Sequence, residues 1–357
     1  MNFRLSALGL TLLTMVSACG DSNTSKIVEK HQFAYAANIN DKTISVYTIN
    51  QTTGALTAGT AVTAGTGPRS VTVSPSGKFA YAANYYSNTI SVFAINQATG
   101  ELAAGTAVSA GSGPFSVTVD PSERFAYATN FGSSNISVYT VNQTTGALTT
   151  GTTIAAGSNP WSNPSSIVIH PTGKFAYVAI PGDDAIWVFN INQVTGQLTA
   201  HSIVAAGSGP ISVTVDPTGK FAYAANDVSN TISVYTIDQT TGALTSGSSV
   251  PAGSNTWSVA VDPLGKFAYA ANVADCTISV YSVDQTTGAL TPSGAVPAET
   301  GPISITFDHS GKFVYVANQG SNSISVYTIN RSTGSLTPRG TVVTGANPSS
   351  ITTAAPL

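Results

Sequence analysis

The feature that most constrains this chain is a repeat. The run FAYAAN around Tyr223 recurs, with small changes, around Tyr35, Tyr81, Tyr127, Tyr177, Tyr269 and Tyr315. The steps between these tyrosines are 46, 46, 50, 46, 46 and 46 residues. Seven copies of one module mean that each copy is a supersecondary unit that buries its apolar surface only against its neighbours.

The module reads as four short strands. Residues 212–215 alternate polar and apolar side chains, and the Asp-Pro-Thr-Gly that follows suits a type I turn. Residues 221–225 set two aromatics on one face and small alanines on the other. A polar loop, 226–230, precedes a strand at 231–237 rich in β-branched and aromatic residues. A turn at 239–242 leads to a Thr/Ser-rich fourth strand, 244–250, suited to an exposed outer edge. Four strands per 46 residues make one blade of an all-β, seven-bladed β-propeller with antiparallel blades. The ends predict closure of the ring. The first FAYAAN, at 33–38, lacks the inner strand that precedes the other copies, and the chain ends on an unpartnered inner-strand sequence, Pro348-Ser349-Ser350-Ile351-Thr352-Thr353. Joining the two completes a blade and removes the open sheet edges.

Residues 1–18 read as a secretory signal, with Arg4 before an apolar stretch too short to span a bilayer. Val16-Ser17-Ala18-Cys19 resembles a bacterial lipobox. It implies a chain that begins at a diacylated Cys19, is tethered by residues 19–30 and carries the propeller over 31–357. Two acyl chains anchor stably where one does not. Gly20, in place of an aspartate, favours the outer membrane, so the expected location is the cell envelope, periplasmic or surface-facing. Cys276 then has no intramolecular partner, which excludes a disulfide framework. The 13 basic and 16 acidic residues are scattered without runs, which argues against nucleic acid as a partner. Nothing in the sequence calls for a cofactor.

The copies also act as an internal filter on function. A group present in every blade is explained by the blade; specific chemistry must come from positions where the copies differ. The serine at the head of each inner strand (Ser70, Ser116, Ser166, Ser212, Ser258, Ser304, Ser350) is therefore read as a structural ring rather than a set of nucleophiles. His170, standing where other copies carry the turn aspartate, is read as a turn-capping or exposed histidine. The copies differ on the face formed by the interblade loops and the loops after FAYAAN. The position before the inner-strand serine is Arg69, Phe115, Ser165, Ile211, Trp257, Ile303 and Ser349, and an insertion unique to the fourth blade, residues 159–164, carries Trp161. Arg69, Phe115, Trp161 and Trp257 are the candidate ligand-binding residues, for a carbohydrate, another small molecule or a protein. Asp183-Asp184, in the same blade as the insertion, is the candidate contribution to a cation site. Trp187 lies in a strand and reads as packing.

The pattern Pro-x-Ser-Val-x-Val-x-Pro-x-Gly-Lys-Phe-x-Tyr-x-x-Asn, followed by Ile-Ser-Val-Tyr-x-Ile and Thr-Gly-x-Leu, resembles the seven-bladed lactonase family, which includes propeller-type 6-phosphogluconolactonases. It is also similar to the YVTN-repeat surface propellers. The likeness spans the whole ring. For a lactonase it implies hydrolysis of a lactone by an Arg/His/Glu cluster. Gly67-Pro68-Arg69 matches the family's pattern before the inner strand, but Ser70 stands in place of its His. The family's glutamate after the FxYxxN run corresponds to Ile39, Tyr85, Phe131, Asp227, Val273 and Gln319, of which Asp227 alone is acidic. Arg69 and Asp227 are thus the catalytic candidates. Three expectations follow: an anchored binding scaffold first, a lactone hydrolase second, and an adhesive or structural envelope protein third.

Overall fold

The structure, a computed structural model, describes residues 32–354. The expected signal sequence, the expected lipidation site Cys19 and the expected tether lie outside the described residues. Seven antiparallel sheets follow one another along the chain. In the fifth blade, for example, the inner strand Pro210–Val215 pairs with Phe221–Asn226, which pairs with Thr231–Ile237. The C-terminal strand Pro348–Ala354 pairs with Gln32–Asn38, setting Ile351 opposite Ala36 and Thr352 opposite Tyr35. Blade 1 is therefore built from both ends of the ring, as the sequence predicts.

The FAYAAN strands are buried along their whole length, because a neighbouring blade covers each face. The two faces are unequal in a useful way. Phe175 and Tyr177 of blade 4 pack on Ala222 and Ala224 of blade 5, whose own Phe221 and Tyr223 pack on Ala268 and Ala270 of blade 6. Large side chains thus meet small ones at each junction, which keeps the blades close and the core filled. The same pattern crosses the closure, where Phe313 and Tyr315 meet Ala34 and Ala36.

A second device repeats with it. Each FAYAAN tyrosine donates its hydroxyl to the carbonyl of the Thr-Gly turn in the next blade: Tyr35 to Gly100 at 2.9 Å, Tyr223 to Gly288 at 2.9 Å, and Tyr315 across the closure to Gly54 at 3.1 Å. These turn glycines sit at φ near +75°, and a methyl on Gly100 would strike the ring of Phe33. Only glycine suits both the backbone and the space.

Four of the inner-strand serines, Ser70, Ser166, Ser304 and Ser350, also join blades. Ser70 accepts the N–H of Val117 at 3.1 Å, and Ser350 accepts that of Val71 at 3.3 Å. The turn aspartates cap their own turns, as when Asp216 accepts the N–H groups of Thr218 and Phe221. His170 does both jobs and is buried. Its Nδ1 accepts from the N–H of Thr172, while Nε2 lies 2.9 Å from the carbonyl oxygen of Gly219 in the next blade. With Nδ1 as acceptor, the proton sits on Nε2.

One local expectation needs correction. The outer strand is not continuous in every blade. In blades 1, 2 and 5 it breaks into two pieces, such as Leu244–Ser246 and Val250–Pro251, whereas blade 6 keeps Leu290–Pro297 intact. These residues are largely exposed, so little burial enforces their pairing.

Candidate functional site

The positions where the copies differ converge on one cavity of about 600 Å³ at one end of the ring. Its lining comes from the two loop classes that the sequence comparison singled out. Arg69, Phe115, Ile211 and Trp257 come from interblade positions; Ile39, Tyr85, Tyr86, Phe131, Asp227 and Val228 come from loops after the FAYAAN strands.

Arg69 is part of its lining. It is the second residue of the inner strand Pro68–Val73 in blade 2. The guanidinium carbon sits 4.4 Å from the ring centre of Phe115 in blade 3 and 5.5 Å from that of Trp257 in blade 6. Arg69 therefore reaches across the mouth of the channel to a residue far away in sequence. Phe115 in turn stacks on Phe131 with ring centres 5.3 Å apart, and Tyr85 meets both rings, at 6.4 and 6.3 Å. The rings hold the guanidinium by cation–π contact. No ion pair or hydrogen bond joins Arg69 to any of the described residues. Burial lowers its pKa, with Tyr85 and Tyr86 opposing the shift. An arginine nevertheless stays charged, so the cavity holds a cation without a counter-charge on its donors.

Asp227 opens the loop after Phe221–Asn226, and its N–H donates to the carbonyl of Gly209. Burial raises its carboxyl pKa, against hydrogen bonds from the N–H of Val228 and its own N–H. Gly209, at φ +66°, fits closely here: a methyl on it would land on Asp227 Oδ1. The N–H of the same glycine donates to Asp184 Oδ1 at 2.8 Å, as does the hydroxyl of Ser208 at 3.2 Å. The two carboxylates thus flank one glycine at the cavity wall.

Asp183 faces elsewhere. Its carboxylate accepts from Ser158 N–H at 2.8 Å, Ser158 Oγ at 2.9 Å and Ser162 Oγ at 2.6 Å, lashing the blade 4 insertion to the loop after Phe175–Ile180. Asp183 and Asp184 therefore bind different loops rather than one common point. Among the described residues no three His, Cys, Asp or Glu side chains gather as a metal set. The insertion places Asn163 in the cavity wall, but Trp161 is 79% exposed and outside the lining. Of the four candidate ligand-binding residues, the structure unites Arg69, Phe115 and Trp257 and leaves Trp161 apart. It adds Asp227 to the same cavity. Trp187 is half-buried and packs against the core of its blade, stacked on Phe189. Tyr85, Tyr86 and Phe131 were visible in the sequence as variable loop residues; only the cluster geometry marks them as site residues.

A polarised cation among aromatic walls, with a carboxyl nearby, suits an organic anion or a carbonyl that gains negative charge. The family model described as "Lactonase, 7-bladed beta-propeller" matches residues 11–107, 103–260 and 252–353. None of the curated proteins matches. Among solved structures, a candidate 6-phosphogluconolactonase from Bacteroides uniformis is similar, with 24% identity, a TM-score of 0.83, and coverage of 90% of this chain and 99% of that one. A second, from Bacteroides fragilis, has 24% identity and a TM-score of 0.83, with 92% and 99% covered. The periplasmic gluconolactonase of Pseudomonas aeruginosa has 20% identity and a TM-score of 0.81, also with 92% and 99% covered. At these identities the likeness speaks for the fold. With the family model matched along nearly all of its length, the chain belongs to the seven-bladed β-propeller lactonase family.

Proposed function

We propose that this protein is an envelope-anchored propeller that binds a small organic anion in the mouth cavity, with Arg69 taking the anionic group. The observation that carries the reading is the Arg69 guanidinium, packed on Phe115 and Trp257 and without an acidic partner among the described residues. Charge-assisted hydrogen bonds to a guanidinium fork are strong and directional. Calorimetric titration with a panel of organic acids tests the reading. Binding that survives Arg69→Gln unchanged would reject it.

A second reading, lactone hydrolysis, is favoured by Asp227 lining the same cavity with a raised pKa, by the family, and by the names of the similar structures. In that reaction Asp227 takes a proton from water as the oxygen attacks the lactone carbonyl carbon. Arg69 stabilises the oxyanion, the ring C–O bond breaks, and the leaving oxygen takes up a proton to give the hydroxy acid. Turnover of glucono- or 6-phosphogluconolactone, abolished by Asp227→Asn, would support it; no turnover above the spontaneous rate would remove it. Anchoring through Cys19 belongs to the same proposal. Cys19→Ala should move the protein from the membrane to the soluble fraction of envelope extracts, and retention on the membrane would contradict it.

A further inference from the structure

The charge balance and the walls of the mouth cavity constrain its ligand further, if the cavity is the ligand site proposed above. Arg69 is the one Lys, Arg or His side chain in the lining among the described residues, and Asp184 and Asp227 share the wall with it. A phosphomonoester carries roughly −1.5 to −2 charges at neutral pH and needs several donors. Here it would meet one guanidinium and two carboxylates. A single carboxylate needs only one fork.

The walls argue the same way. Away from Arg69 they are built largely of Ile39, Tyr85, Phe131, Ile211 and Val228. The polar side chains of the wall besides Arg69 include Asn163, Asp184, Ser208, Asp227 and the hydroxyls of Tyr85 and Tyr86, and some are committed, since the hydroxyl of Ser208 and the N–H of Gly209 donate to Asp184. A polyol lying on the apolar part of the wall would leave hydroxyls without partners there, which is costly in a desolvated site. A ring or acyl chain gains from the same surface. The volume of about 600 Å³ is that of a small-molecule site.

We infer that the mouth cavity takes an amphipathic monocarboxylate, an aryl or medium-chain acid or the lactone of such a hydroxy acid, in preference to a sugar acid or sugar phosphate. The carboxylate pairs with Arg69, and the apolar body lies along the aromatic and aliphatic wall.

The test is titration calorimetry of the full chain with phenylacetate, octanoate, gluconate and 6-phosphogluconate. Phenylacetate or octanoate should bind at least tenfold more tightly than either sugar acid, and Arg69→Gln should weaken that binding at least tenfold. Val228→Lys, at a rim position 67% exposed, adds a second cation without disturbing the core. It should narrow the gap by strengthening 6-phosphogluconate relative to octanoate. Tightest binding of 6-phosphogluconate or gluconate by the unaltered protein, lost in Arg69→Gln, would overturn the ligand class while leaving the anion site standing. If none of the four binds, or if binding ignores Arg69, the ligand class and the site both fall.

Discussion

Replacing Cys276 by asparagine should stabilise the ring, for a reason written in its own repeat. Each loop after the FAYAAN strand ends in a residue in the left-handed region: Lys42, Asn88, Ser134, Asp184, Asn230, Cys276 and Asn322 have φ between 48° and 57°. At five of them the side-chain oxygen accepts an N–H from the following blade, at Ser134 from Asn163 at 3.4 Å. Asn88 receives Gly113 at 2.8 Å, Asp184 receives Gly209 at 2.8 Å, Asn230 receives Asn255 at 2.6 Å and Asn322 receives Asn347 at 2.7 Å. Lys42 and Cys276 carry no such oxygen and break the series. The Cys276 Sγ lies 3.7 Å from the carbonyl oxygen of Val273, and the equivalent N–H, on Gly301, has no acceptor among the described residues. Asparagine would supply one, worth about 1 kcal/mol net. It also tolerates the left-handed backbone better than cysteine, by roughly 0.5–1 kcal/mol if its several-fold enrichment there is taken as an energy. The sum is about 1.5–2 kcal/mol. One kcal/mol shifts Tm by about 2–4 °C in domains smaller than this one, so the lower end applies and the expected rise is about 3–4 °C. Differential scanning calorimetry under reducing conditions measures it. Cys276→Ala, which removes the thiol without adding an acceptor, should give no rise, and Asn230→Ala should lower Tm. A Cys276→Asn variant no more stable than Cys276→Ala would show that the interblade bond contributes nothing there.

Other outcomes follow from the same geometry. Tyr223→Phe removes the donor to Gly288 and leaves a buried carbonyl unpaired, which should cost about 1–3 kcal/mol in a denaturant titration. Gly242→Ala puts a methyl into the ring of Phe175 at φ +73°; overpacking and backbone strain together should cost about 2–5 kcal/mol. Burial pushes Tyr139 and Tyr235 up to about 12, with hydrogen bonds from Ser137 and Ser233 opposing it. The folded state therefore holds the neutral phenol, and these tyrosines leave stability unchanged below pH 10. Stability should fall as pH rises from 10 towards 12, with phenolate absorbance and loss of β-sheet circular dichroism appearing together; ionisation near pH 10 in a still-folded protein would contradict the burial. Finally, Trp257→Ala should weaken ligand binding at least tenfold while Trp161→Ala leaves it unchanged, because only the former lines the cavity; equal losses would place the ligand outside it.

Much of this molecule is legible in one dimension because the chain is its own alignment. The constant spacing of the FAYAAN tyrosines gives the blade count, and the unmatched ends give the closure through Pro348–Ala354. Comparing copies position by position separates Ser70 and its equivalents, four of which stitch blades together, from Arg69 and its equivalents, which differ. Some details stayed hidden for physical reasons. The break in the outer strand between Leu244–Ser246 and Val250–Pro251 depends on weak edge pairing that leaves no hydrophobic period to read. The exclusion of Trp161 depends on how Asp183 ties down a loop that has no counterpart in the other blades.

The sequence by itself determined the repeat, and with it the local pairings and the packing of each blade on the next, because those contacts join residues at fixed separations. Only the closed ring decided which of the irregular residues meet. Arg69 and Trp257 stand on non-adjacent blades and touch across the channel mouth because circular closure brings distant inner strands round a common axis. No separation along the chain encodes that distance; it is set by the width of the channel and the reach of an arginine side chain.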